Sequence, residues 1–122
     1  MSINSYRDLK VWQSAMDSAV DWYRATVGFP ESELYGLTGQ IRRASASIPA
    51  NIAEGHGRES TGSFIQHSRI AQGSLKELET HLILAGRLGF LDEKRSRDLL
   101  AKADEIGRMV RSMIRRLQEK DK

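Results

Sequence analysis

Apolar residues return every three or four positions along almost all of this 122-residue chain, the period of helices that bury one face. No stretch alternates in the manner of a half-buried strand. Four helices are predicted, over about residues 6–27, 32–54, 61–88 and 92–118, divided where glycine or proline breaks the period. The first carries the stripe Leu9, Trp12, Met16, Ala19/Val20, Tyr23 and Val27. Ser5, followed three residues later by Asp8, resembles a capping box at its start. Gly28-Phe29-Pro30 ends it, and Glu31 and Glu33 suit the positive start of the next helix.

The third helix opens at a cap supplied by Ser60 or Thr61 and carries Phe64, Ser68, Ala71, Leu75, Leu78, Leu82 and Ala85. Gly89 is placed to end it as a carboxyl-terminal glycine cap. Asp92 caps the fourth, whose stripe is Leu99, Ala103, Ile106, Val110, Met113/Ile114 and Leu117. The connections are only a few residues long, so neighbouring helices should run antiparallel. The expected fold is all-α, an antiparallel up-down-up-down four-helix bundle in one domain.

The second helix contains the most unusual segment, Gln40–Gly57. Leu34, Leu37, Ile41, Ile48 and Ile52 share one face, yet Pro49 sits in mid-course. Proline lacks an amide hydrogen and its ring crowds the carbonyl four residues back, here that of Ser45, so a kink is expected at Pro49. Ser45 and Ser47 can satisfy the loosened backbone groups. Gln40, Ser47, Asn51 and Glu54 form a second, polar face. It predicts a network to Ser74, Glu77 or Glu79 on the third helix, with Arg43 nearby, that fixes helix register. Gly55-His56-Gly57 reads as the stop.

The end of the third helix is too apolar for a single buried face. Leu82-Ile83-Leu84-Ala85-Gly86, then Leu88, Phe90 and Leu91, put apolar groups on nearly every side. Trp22 lies about a quarter-turn from the first helix's stripe. This excess predicts an interface between copies of the chain.

Composition narrows the chemistry. With no cysteine, disulfides, thiolate metal sites and cysteine nucleophiles are excluded. The first five residues have neither the basic start nor the apolar stretch of a signal peptide. Leu82–Gly86 is far shorter than the ~20 residues of a membrane span. A soluble, cytoplasmic protein is expected. Net charge is only +3, but from Arg108 to Lys122 six basic residues face two acidic ones, a local excess larger than that of the whole chain. Arg108, Arg111 and Arg115 share a ridge with Arg116 beside it, and Arg42, Arg43 and Arg58 are weaker additions. Arginine pairs bidentately with phosphate, so this ridge predicts a nucleic-acid surface.

No catalytic constellation emerges. His67 and His81 are fourteen residues apart, about 21 Å along a helix, too far to share a metal. A di-iron bundle needs Glu-x-x-His on two helices, whereas Glu77 and His81 are four apart and unrepeated. No phosphate-cradling glycine loop is present, and no arginine precedes a histidine at the four-to-six-residue spacing of small helical ribonucleases. The chain is expected to be non-enzymatic and to need no cofactor. The aromatics sit in helix stripes or at helix ends, so no stacking platform for single strands is expected.

Asp8-Leu-Lys-Val-Trp12, Phe29-Pro30 with Glu33-x-Tyr35-Gly-Leu37, Gln40-Ile-Arg-Arg-Ala44, Ser47-Ile-Pro-Ala-Asn-Ile-Ala-Glu-Gly55 and Ala71-x-Gly73-Ser-Leu-x-Glu-Leu-Glu79 occur in this order. Together they resemble the 23S rRNA intervening-sequence proteins, small four-helix bundles, across three of the four helices. The fourth matches only in being amphipathic and basic. The resemblance implies a ring-like homopentamer. It extends to the similar accessory proteins of diversity-generating retroelements, which implies a basic surface for RNA or DNA and a protein partner such as a reverse transcriptase. The expected function is a nucleic-acid-binding accessory or scaffold, RNA ahead of DNA; the alternative is a protein-interaction scaffold.

Overall fold

The computed structural model describes residues 5–120; most of the amino-terminal segment read against a signal peptide, and Asp121 and Lys122 of the basic tail, lie outside the described residues. The helices are α1 (Lys10–Ala25), α2 (Leu37–Gly57), α3 (Thr61–Arg87) and α4 (Glu93–Lys120), with single 3-10 turns at Tyr6–Asp8 and Glu31–Glu33. They form a four-helix bundle, and the described residues contain no strand. No helix among them is long and apolar enough to cross a membrane.

Contacts between α2 and α3, and between α3 and α4, run in opposite chain directions. Gly55 of α2 meets Phe64 and His67 of α3, while eight residues earlier Ser47 meets Ser74. Gly86 of α3 lies beside Ser96 of α4, and Lys76 shares a groove with Ala103 and Gly107. The bundle closes where the Trp22 indole of α1 donates to the Leu99 carbonyl of α4 at 3.1 Å and Lys102 reaches Asp21 at 3.2 Å.

The stripes of α3 and α4 are buried as their periods predict. Ser68, Ala71, Leu75, Leu78, Leu82 and Ala85 of α3 meet Leu99, Ala103, Ile106, Val110, Met113 and Ile114 of α4; Phe64 and Leu117 pack at the core's edge. The ends follow the capping chemistry. Ser60 Oγ accepts from the Ser63 amide at 3.1 Å, and Asp92 Oδ1 accepts from the Arg95 amide at 2.7 Å. At the end of α3, Gly89 takes φ +82°. The Phe90 amide then reaches back to the Ala85 carbonyl and the Gly89 amide to that of Gly86, the paired bonds of a Schellman cap.

α1 is turned away from its expected orientation. Val11, Ala15, Ser18 and Trp22 are buried, whereas Met16, Val20, Tyr23 and Val27 are exposed, Val27 by 73%. The wider apolar stripe therefore faces outward. Trp22, expected at an interface between copies, is fully buried, because its large ring fills the core and its N–H finds the Leu99 carbonyl. The helix also begins later than expected. Ser5 Oγ accepts from the Arg7 amide at 3.1 Å and caps the 3-10 turn, not a capping box.

α2 starts at Leu37, five residues beyond the expected start, and Leu34 is exposed outside it. The Leu37 amide, an orphan donor at the helix start, is satisfied by Glu33 Oε1 at 3.1 Å. Helical geometry continues through Pro49, which is buried, and Ser45 Oγ donates to the Ile41 carbonyl at 2.7 Å. α2 ends within Gly55-His56-Gly57 as expected, but only at Gly57, three residues beyond Glu54. All three residues are helical, and the first two serve the packing of α2 on α3.

A Cβ on Gly55 would lie 2.8 Å from His67 Cβ and 3.2 Å from the Phe64 backbone, whereas one on Gly57 would meet nothing within 4 Å. Two alanine substitutions two residues apart should thus have opposite signs. Gly55→Ala should destabilise by about 1–3 kcal/mol through overpacking. Gly57→Ala should stabilise by up to about 1 kcal/mol through helix propensity. Urea unfolding midpoints measure both; a stabilising Gly55→Ala would contradict the close approach.

Candidate nucleic-acid interface

The expected basic ridge divides between two grooves. Arg111 lines a groove between α3 and α4 with Lys76, Glu79 and Asp104. Arg108 and Arg116 line a larger, open cleft of about 1530 Å³ at the end of the bundle where α1 begins and α4 ends. Arg115 is exposed on α4 and lines neither. The ridge splits because successive turns of one helix point these side chains to opposite flanks of α4, each facing a different neighbour.

The cations also differ in availability. Arg108 pairs with Asp104 at 3.2 Å and Arg58 with Glu54 at 2.9 Å. Both pairs are exposed, which limits each to about 0–1 kcal/mol. Arg43 bonds to Gln40 on its own helix. Arg42 is committed to structure: Nε donates to Thr26 Oγ1 at 2.9 Å, and its guanidinium lies 4.4 Å from the Tyr23 ring centre. Among the described residues, Arg111, Arg115 and Arg116 make no ion pair.

Lys10 and Lys120 join Arg108 and Arg116 in the cleft, and its described lining includes only Asp8 and Glu59 as acids. Lys10 is not evident from the sequence because α1 is remote from α4 along the chain. The opposite polarity of the two helices brings the start of one beside the end of the other. His56 and Phe64 also line the cleft, their rings edge to face with centres 5.6 Å apart. This supplies the aromatic surface that the sequence did not indicate.

The polar seam is smaller than expected and centres on a residue that the sequence pattern does not single out. Asn51 Nδ2 donates to the Ser47 carbonyl at 2.9 Å and to Ser47 Oγ at 3.0 Å. Ser47 Oγ shares a hydrogen bond with Ser74 Oγ at 2.9 Å. A carbonyl only accepts, so the Asn51 nitrogen must face Ser47 and its Oδ1 must face His67 Nδ1, 3.2 Å away. In the neutral ring the proton therefore sits on Nδ1. Glu54 Oε2 stands 4.0 Å from that nitrogen. The Arg58 hydrogen bond, followed by the charge of His67, holds the Glu54 carboxyl below the usual carboxylate range. Gln40, Glu77 and Glu79 stand apart from this seam. Gln40 holds Arg43, Glu79 pairs with Lys76 at 3.0 Å, and Glu77 is exposed. One turn of helix separates Asn51 from Ser47, whereas Gln40 is two turns further back and Glu77 points outward.

The family model described as 23S rRNA-intervening sequence protein matches residues 7–112. The chain belongs to this family. A crystal structure of a protein of unknown function from the S23 ribosomal protein family of Bacteroides thetaiotaomicron has the same fold. It is 27% identical with a TM-score of 0.75, covering 85% of this chain and 97% of that one. No curated protein matches the chain. Arg108 and Arg111 lie inside the span shared with the 23S rRNA-intervening sequence proteins, whereas Arg115, Arg116 and Lys120 lie beyond it.

The seam of this 23S rRNA-intervening sequence family member should stabilise its fold. Asn51→Ala removes two donors and leaves the His67 Nδ1–H without its partner, at a cost of about 1–3 kcal/mol. Thermal melting should record the loss; an unchanged melting temperature would show that the seam contributes nothing.

Proposed function

We propose that this protein is a non-enzymatic, oligomeric scaffold that binds nucleic acid through phosphate contacts from α4. The observation that carries this reading is the exposure of Arg111, Arg115 and Arg116 without ion pairs among the described residues. Guanidinium groups already neutralised by carboxylates must break those pairs before meeting a phosphate, whereas these need not. Such contacts position a nucleic acid without reading its sequence. RNA is the first probe and DNA the second, since the family's name refers to an intervening sequence of 23S rRNA, which is a gene location and not a binding property.

Assembly would multiply a weak contact by repeating it around a ring. A homopentamer, as the family resemblance implies, has apolar surface available to it: Ile83, Leu84 and Leu88 of the α3 end are about half exposed. The second reading, a protein-interaction scaffold with a partner such as a reverse transcriptase, draws on the outward stripe Met16, Val20, Tyr23 and Val27 and on Tyr35, which is 95% exposed. Apolar surface left uncovered after assembly would favour it.

Fluorescence anisotropy against a structured RNA and a DNA duplex across salt concentrations tests the first reading. Replacing Arg111, Arg115 and Arg116 together by alanine should leave helix content and melting intact and weaken binding to both. The log–log salt slope should fall by roughly 2–3, at about 0.7–0.9 for each phosphate no longer neutralised. Equal binding by wild type and variant would remove these arginines from the interface, and no binding at low salt would favour the protein scaffold.

A further inference from the structure

The cleft at the carboxyl end of α4 pairs a cationic wall with an apolar floor. Arg108, Ser112, Arg116 and Lys120 follow one another at four-residue steps, so they form a single row about 18 Å long, and all of them line the cleft. Met109, Met113 and Leu117 form the adjacent row at the same pitch and line it too. Met109 and Leu117 are partly buried and Met113 only 5% exposed, so the floor is apolar and continuous with the core. Lys10 stands on the α1 side.

Resting on the nucleic-acid reading above, we infer that this cleft receives an unpaired, single-stranded segment in preference to a duplex. The cleft is open and runs along the basic row of α4, a shape that suits a length of polymer better than an enclosed small molecule. Charge complementarity to Lys10, Arg116 and Lys120 calls for an anionic polymer. A duplex would satisfy that charge but keep its bases stacked inside, leaving the floor wet. An unpaired strand offers phosphates to the row and bare base faces to the floor. The edge-to-face Phe64–His56 pair at the wall gives those faces an aromatic surface, and every base has a π-face to place on it. Methionine's unbranched thioether adapts to bases of either size, which fits binding with little sequence preference.

The test uses a 12-nucleotide oligouridine and a blunt hairpin duplex of equal phosphate count at one salt concentration, with wild-type protein and two variants. Wild type should bind the single strand about tenfold more tightly than the duplex, the scale expected of one or two stacked bases. The Lys10→Ala/Lys120→Ala double variant should weaken strand and duplex alike, whereas Phe64→Leu should erase most of the preference and leave duplex affinity nearly unchanged. Photocrosslinking of 5-iodouridine strands to wild-type protein should map to His56, Phe64 or Met109, a readout independent of how the variants fold. Equal affinity for strand and duplex, with crosslinks scattered along α4, would overturn the cleft inference while leaving the phosphate-binding ridge standing. Failure to bind either nucleic acid would overturn both. Displacement of the strand by an equal charge of polyglutamate would show that charge alone recruits it, which also overturns the inference.

Discussion

The close approach of α2 and α3 governs much of this molecule. It is made by omission. Gly55 presents no side chain to Phe64 and His67, and serines Ser47 and Ser74 meet where larger groups would hold the helices apart. Small residues at a helix contact let the backbones sink together, and the side chains around them must then be chosen for shape. With α3 seated this closely, His67 falls within reach of Asn51 and Glu54, and Phe64 is carried to the edge of the core beside His56. The polar seam and the aromatic wall of the cleft are both consequences of one glycine's missing methyl group.

Pro49 illustrates how the same packing supports a residue that local rules disfavour. In an exposed helix interior proline costs about 3 kcal/mol. Here it is buried within a continuous helix, next to the fully buried Ile48 and one turn from the fully buried Ile52. The side chain of Ser45, the residue whose carbonyl proline leaves without its helical donor, is turned back to the Ile41 carbonyl. Burial of the two neighbouring isoleucines, each contributing about 1.5–3 kcal/mol, outweighs that cost.

The charged cleft and the outward apolar stripe of α1 occupy different parts of the bundle. The cleft cations Lys10, Arg116 and Lys120 stand at the end where α1 begins and α4 ends, whereas the outward α1 stripe and Ile83, Leu84 and Leu88 of the α3 end present apolar side chains. Segregation of this kind keeps an association surface from competing with a charged one. A cation held against an apolar interface would lose hydration without a partner. Arg42 shows the compromise at the boundary, covering the Tyr23 ring while bonding to Thr26.

The sequence by itself determined the number of helices, the buried faces of α3 and α4, and the caps at Gly89 and Asp92. In each case one periodic stripe or one capping group had no local competitor. α1 was different. It carries two apolar rows, and periodicity favours the broader one, Met16, Val20, Tyr23 and Val27. Only the tertiary structure could choose the row of small residues ending in Trp22, because that choice depends on the Leu99 carbonyl and on how much volume the other three helices leave. The candidate site divides the same way. The basic character of α4 is written in the chain, since charge excess is a local property. That Arg108 and Arg111 face different grooves, that Lys10 completes the cleft, and that His67 completes the seam were decided by packing, which joins residues far apart in sequence.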